Sequence, residues 1–197
     1  MKTRHRLIAA LGVLSLTVAC TTTTFNPLEE YEALEPATIL EPPAPQTASE
    51  AAERGRYLVG ILGCSTCHTD GALAGQPNPE RRLSGSRTGI AYTNPLVDQR
   101  PGVVYPSNLT PDKETGIGNW SRTQLVQMIQ TGVNRHGTRK LSVMPWPAYS
   151  RLADEDAQAI ATYLLSLAPV SHRVPEPVWP GQRAKAPYVH FGTYRSK

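Results

Sequence analysis

Residues 55–68 read GRYLVGILGCSTCH, and the last five, Cys64-Ser65-Thr66-Cys67-His68, decide how the rest of the chain is read. An apolar run at helical spacing ends at Gly63, and two thiols and an imidazole follow at once. Three chemistries compete for that set. A disulfide redox pair uses the same cysteine spacing but expects a strand before it and a helix after it. Here the motif ends a helix, and no strand–helix–strand pattern follows. A zinc site needs four ligands, and the adjacent Cys67 and His68 are awkward around one small ion. The third is covalent attachment of haem, each thiol adding to one vinyl group while the histidine lies beneath the iron. The short turn sets Cys64, Cys67 and His68 against one porphyrin edge and face. This reading is favoured, and it makes haem c the expected cofactor, one per chain, because the motif occurs once.

Working outward, the chain around the motif reads as mostly α. Thr47-Ala48-Ser49-Glu50 has the form of a capping box. It predicts a helix running to about Leu62, with Ala51, Leu58, Ile61 and Leu62 as its apolar face. Ser121, boxed by Gln124, starts a second helix that Gly132 stops. A third runs from Asp154 to Leu167, with Ala157, Ile160, Ala161, Leu164 and Leu167 at i, i+3, i+4, i+7 spacing. Asp154, Glu155 and Asp156 suit its positive N-terminus. No stretch alternates as a strand should. With 18 prolines and 15 glycines in 197 residues, short elements and long loops are expected. The core is therefore placed at 49–170.

A haem iron held by His68 needs a second axial ligand or an open site. Met1 leaves with the leader, and Met128 lies mid-helix, where methionine usually packs. Met144 sits in the loop sequence Ser142-Val143-Met144-Pro145-Trp146 and is the favoured ligand, with His136 its rival. His172 and His190 fall beyond the core and read as solvated or partner-facing. Arg135, Arg139 and Lys140 read equally as a steering patch or as counter-charges to haem propionates.

Residues 1–6 are basic and residues 7–19 are largely apolar. Thirteen residues are too few to span a bilayer, which takes about 20, but they suit a secretory leader, 1–19. Cys20 follows at once in LTVAC, a sequence similar to a lipoprotein box, so Cys20 is the expected lipidation site. Thr21 after it leans toward the outer membrane. Export agrees with haem, whose covalent attachment occurs outside the cytoplasm. Residues 20–48, acidic and proline-rich, read as a lipid-anchored tether. Residues 171–197 form a basic, Pro-containing tail, a docking arm or a strap. Net charge is +4, but without Lys2, Arg4 and Arg6 only 17 basic residues face 16 acidic ones. That balance offers no concentrated basic face for nucleic acid.

With these residues in hand, the chain resembles class I c-type cytochromes. More closely, it resembles the monohaem cytochrome c domains associated with bacterial periplasmic dehydrogenases. The resemblance covers about 55–170. It rests on GRYLVGILGCSTCH, Asn108-Leu109-Thr110-Pro111-Asp112, Thr115-Gly116-Ile117-Gly118, Trp120-Ser121, Val143-Met144-Pro145-Trp146, Tyr149-Ser150-Arg151-Leu152 and the last helix. It implies a cytochrome c fold with three or more helices and long loops around one covalent haem, with Cys64 and Cys67 covalent and His68 and Met144 axial. It also implies that the first and last helices cross, bringing Gly55 and Tyr57 to Tyr163 and Leu164 with both tyrosines in the core. Three departures stand out. Relatives often carry several haems, Ala153 stands where a capping residue is usual, and the tail has no counterpart.

An iron held by histidine and methionine is six-coordinate in both oxidation states, so electron transfer without substrate chemistry is expected. The expected partners are redox proteins, a periplasmic dehydrogenase, an oxidase or another cytochrome, and a membrane through the lipid. Two alternatives stay open. One is a haem enzyme with a displaceable distal ligand, peroxidase-like, and the other a structural or assembly lipoprotein of a respiratory complex. Asn108 and Asn119 match glycosylation sequons, read as coincidence, and Asp112 with Glu114, which could suggest calcium, are read as solvated acids of a loop.

Overall fold

The structure, a computed structural model, describes residues 40–95, 99–133, 136 and 143–191. The leader, Cys20 and most of the tether lie outside the described residues, as do Arg135, Arg139 and Lys140.

Helix α1 spans Glu50–Ile61. Its cap is Ser49, whose hydroxyl accepts from the Ala52 amide, not Thr47. Ser49 is itself a good cap residue and stands directly before the helix, so it takes the orphan amide. The buried face also differs from the expected one. Ala52, Gly55, Leu58 and Val59 are buried, whereas Ile61 is 61% exposed. Small residues define the contact because the partner helix comes so close. A Cβ on Gly55 would lie 2.1 Å from the Ala159 carbonyl oxygen and 2.6 Å from Tyr163 Cβ.

That partner is α5, Asp154–Leu165. It buries Ala157, Ala159, Ile160, Ala161, Tyr163 and Leu164, and the crossing of α1 and α5 is the centre of the core. Tyr163 is fully buried and its hydroxyl donates to the Pro43 carbonyl at 2.7 Å. Tyr57, expected in the core, is 58% exposed beside Arg54. It lies two residues on from Gly55, and that step turns it off the contact face. Arg54 pairs with Asp156 at 3.0 Å across the crossing, with the arginine exposed to solvent.

Between these helices lie α2, Cys64–His68, then α3, Arg122–Thr131, and α4, Trp146–Tyr149. The Ser121–Gln124 box forms in full, with each side chain holding the other's amide. Ala153 gives no side-chain cap to α5. The Gln130 side chain bridges to the Leu152 carbonyl and Asp154 there instead.

A small sheet was not expected. Strands β1 (Gly89–Ala91), β2 (Val103–Val104) and β3 (Tyr188–His190) pair in the order β2-β1-β3, antiparallel on one side of β1 and parallel on the other. Val178 pairs with Val103 on the far edge. Residues 171–191 therefore wrap the domain as a strap. The other end behaves alike: Pro42 is buried, and the Gln46 amide donates to the Ser166 carbonyl at 2.8 Å. Residues 40–46 thus pack on the domain rather than hanging from it.

Candidate haem-attachment site

Helix α1 stops at Leu62, and Gly63 turns the chain into α2. The five residues of α2 place Cys64 and Cys67 half-buried and His68 buried. Both cysteines are free. Burial pushes the Cys64 thiol up to about 11 and raises that of Cys67 as well. A dithiol redox centre depends on a lowered thiol pKa, so this environment is the wrong one for it. Among the described residues no group of three or more His, Cys, Asp or Glu is placed to hold a metal ion.

His68 is set for one task. Its Nδ1–H donates to the Ser107 carbonyl at 2.7 Å, which fixes the tautomer and leaves the lone pair on Nε2. Burial lowers its pKa, and the Ser107 bond opposes that only in part. A neutral imidazole with one nitrogen tethered to a carbonyl is the form that ligates a metal. The surrounding backbone is pinned. The His68 carbonyl accepts from the Gly85 amide at 2.8 Å, and Thr69 Oγ1 accepts from the Leu83 amide at 3.2 Å. Leu83 holds φ at +58°, a conformation a leucine keeps only when its surroundings over-determine it. It is fully buried, and its carbonyl accepts from the Leu109 amide.

Met144 sits half-buried in the turn that leads into α4. Its carbonyl accepts from the Trp146 amide at 2.9 Å, while the Trp146 indole donates to the Met128 carbonyl at 3.2 Å. Gly132, at φ +70°, lets that indole lie flat against the end of α3; a Cβ there would fall 2.6 Å from the ring. Tyr149, one helix length on, reaches the Leu62 carbonyl at 3.5 Å. Its phenol is pushed up to about 12, first by burial and then by the nearby Cys64 and Cys67. The segment that follows Met144 thus meets the cysteine turn at the end of α1 through Tyr149. Two thiols and an imidazole with a fixed tautomer fit a covalent haem. Half-buried apolar side chains, among them Leu109, Trp120, Ile129 and Leu152, pack against the core.

His136 lies exposed in a turn. His172 and His190, expected to be solvated or partner-facing, differ in their burial. His172 is buried, with Nδ1 3.0 Å from the Ser84 carbonyl oxygen, and His190 is a half-buried residue of β3. The strap carries His172 inward. Asn108 is 1% exposed, which hides its sequon. Its amide donates to Thr115 and to the Val170 carbonyl, while its oxygen accepts from Thr110. Asp112 Oδ1 accepts from the Thr115 hydroxyl and amide and from the Glu114 amide, and these bonds, the Thr115 hydroxyl first, hold its pKa down. Its carboxylate shapes the loop. Sequence reasoning missed the Ser107 carbonyl, since a backbone acceptor leaves no side-chain signature. Trp146 and Tyr149 lay within quoted motifs, but the bonds that anchor the methionine turn were not read from them.

A crossing of first and last helices and a Cys-x-x-Cys-His turn between them define a covalent-haem electron-transfer fold. The cytochrome c family model matches residues 52–168, and the chain belongs to that family, whose members bind haem c covalently. It is similar to the cytochrome c subunit of the quinone-dependent alcohol dehydrogenase of Gluconobacter oxydans, at 33% identity over 139 residues, 68% of this chain and 26% of that one. The fructose dehydrogenase cytochrome subunit of Gluconobacter japonicus is 32% identical over 63% of this chain and 23% of its own. The gluconate 2-dehydrogenase cytochrome c subunit of Pantoea cypripedii is 33% identical over 60% of this chain and 24% of its own. The match spans about a quarter of each relative's length.

Proposed function

We propose that the chain is a single-haem electron carrier of the periplasm, working between a dehydrogenase and a further acceptor with no substrate chemistry of its own. Cys64 and Cys67 would hold the haem through thioethers, and His68 Nε2 and the Met144 thioether would be the ligands to its iron. Bound haem supplies a one-electron change between ferrous and ferric iron. The protein contributes a fixed ligand set. Ser107 orients the imidazole, burial keeps it neutral, and the Trp146 anchor holds the methionine turn in place. The geometry of His68 carries the reading: a tautomer locked by a backbone carbonyl, one residue after paired, free cysteines. The dehydrogenase is proposed as donor because the relatives named above are subunits of such enzymes.

The test is the visible spectrum of holoprotein matured in a host able to attach haem. The native ferrous protein is expected to bind carbon monoxide poorly. Met144→Ala is expected to bind it readily and to show a lower reduction potential, since a thioether favours ferrous iron. Ready binding by the native protein would overturn the carrier reading in favour of a haem enzyme with a displaceable distal ligand.

The leader (1–19) and lipidation of Cys20 belong to the same proposal, with the chain tethered in the periplasm and the outer membrane favoured by Thr21. Acyl chains hold a protein through about 0.8 kcal/mol per buried methylene. Cys20→Ser should therefore move the chain into the soluble fraction after a high-salt wash. A native chain that washes off equally well would count against the anchor.

A further inference from the structure

We infer that His172, carried in by the C-terminal strap, is a positioning residue for His68 and a proton site coupled to the electron that the haem takes up. The inference rests on the haem reading of His68. The strap lies beyond the 52–168 match. His172 is 6% exposed, and its amide donates to the Thr115 hydroxyl at 3.0 Å. Its two ring nitrogens stand in different settings. Nδ1 lies 3.0 Å from the Ser84 carbonyl oxygen and 3.4 Å from Ser84 Oγ. A carbonyl can only accept. The Ser84 hydroxyl donates its own hydrogen to the Arg81 carbonyl at 3.0 Å, so it too turns a lone pair to the ring. Nδ1 therefore carries a hydrogen. Nε2 is buried without a hydrogen-bond partner, 3.7 Å from Asp70 Oδ2. In the neutral ring Nε2 is a bare lone pair facing a carboxylate. With a proton added, it presents an N–H to that carboxylate and forms an ion pair. The site made by Ser84 and Asp70 is complete only when Nε2 is protonated.

The charges around the ring are these. Among the described residues, Asp70 is the charged group within ion-pair distance of His172. Its Oδ1 accepts from the Arg87 amide at 2.9 Å, which holds the carboxylate in place. On the loop that carries Ser84, Arg81 and Arg82 are half-buried and Arg87 is exposed. On the loop that carries Thr115, Lys113 and Glu114 are exposed, and Asp112 is held below the usual carboxylate range, first by the Thr115 hydroxyl. Arg173, next on the strap, is exposed. Of these residue types only histidine changes charge between pH 5 and 8 in ordinary surroundings. The ring also lies against the segment that holds the iron ligand. Asp70 stands two residues after His68, and Ser84 precedes Gly85, whose amide donates to the His68 carbonyl at 2.8 Å. One imidazole thus joins the chain leaving His68 to the loop that grips it. An electron reaching the iron removes one unit of positive charge, and that favours a cation on the imidazole. Nε2 takes one proton from solvent for the one electron the redox partner supplies, and no bond between heavy atoms forms or breaks.

The test is the reduction potential of the holoprotein between pH 5 and pH 9, read by visible absorbance against redox mediators. His172 is expected to hold its proton about tenfold more tightly in the ferrous state, which lowers the potential by about 59 mV in all as pH rises through the step. His172→Gln keeps a polar side chain but takes no proton, and should lose that step. Asp70→Asn removes the carboxylate that favours the proton, and should move the step to lower pH. Haem absorbance and melting temperature check the fold of each variant. The native protein gives a second measurement that needs no variant. Its His172 ring resonances, followed against pH in ferrous and in ferric protein, should show midpoints about one pH unit apart, the ferrous one higher. A step that survives in His172→Gln, equal midpoints in the two oxidation states, or a ring that keeps one charge from pH 5 to pH 9 overturns the inference. None of these results touches the haem reading, which fails instead if the matured chain lacks haem absorbance.

Discussion

The α1–α5 crossing and the strap-built sheet both tie distant parts of the chain together, by opposite means. The crossing joins two regular helices through small residues, with Gly55 seated against the Ala159 carbonyl. The sheet joins strands of two or three residues, and its strap is held by polar bonds at Asn108, Thr110 and Thr115 to the Val170 carbonyl and the His172 amide. One region depends on shape, the other on satisfied hydrogen bonds. Damage should therefore differ in kind: a clash at the crossing undoes the fold, while a lost polar hub loosens the strap and leaves the helices standing.

The largest effect is expected from Gly55→Leu. Its side chain has no room against the backbone of α5, and overpacking of this kind costs about 3 kcal/mol or more. Little holoprotein should accumulate, and what does should melt far below the native protein. An unchanged melting temperature would show that the helices can part at no cost. Asn108→Ala should cost about 2 kcal/mol, because it strands the buried Thr110 amide, which donates to the Asn108 side chain. Hydrogen exchange should rise over 170–191 before it rises in α1 or α5. A uniform loss of protection would erase the distinction between the two regions.

The helices were legible because their signals are local. Gln124 reaches Ser121 within one turn, and the apolar spacing of α5 repeats over twelve residues. The face of α1 was misjudged because large apolar residues were counted toward the core, whereas the contact selects for smallness at Ala52 and Gly55. The sheet could not be read at all. Two or three residues are too few to display alternation, and β1 finds β3 some hundred positions away. At the candidate site, the side chains able to bind a metal or a thioether were readable from spacing alone. The group that orients them was not, since a carbonyl at Ser107 is present whatever the residue.

That last point has a consequence for how the site tolerates change. Ser107 is exposed, and its side chain takes no part in gripping His68. Any residue with the same backbone path can stand there without turning the imidazole. Lengthening or shortening the chain between Val103 and Ser107 is another matter, because it slides the carbonyl away from Nδ1. The position is indifferent to spelling and sensitive to frame, so drift in composition passes unnoticed where a single inserted residue would not.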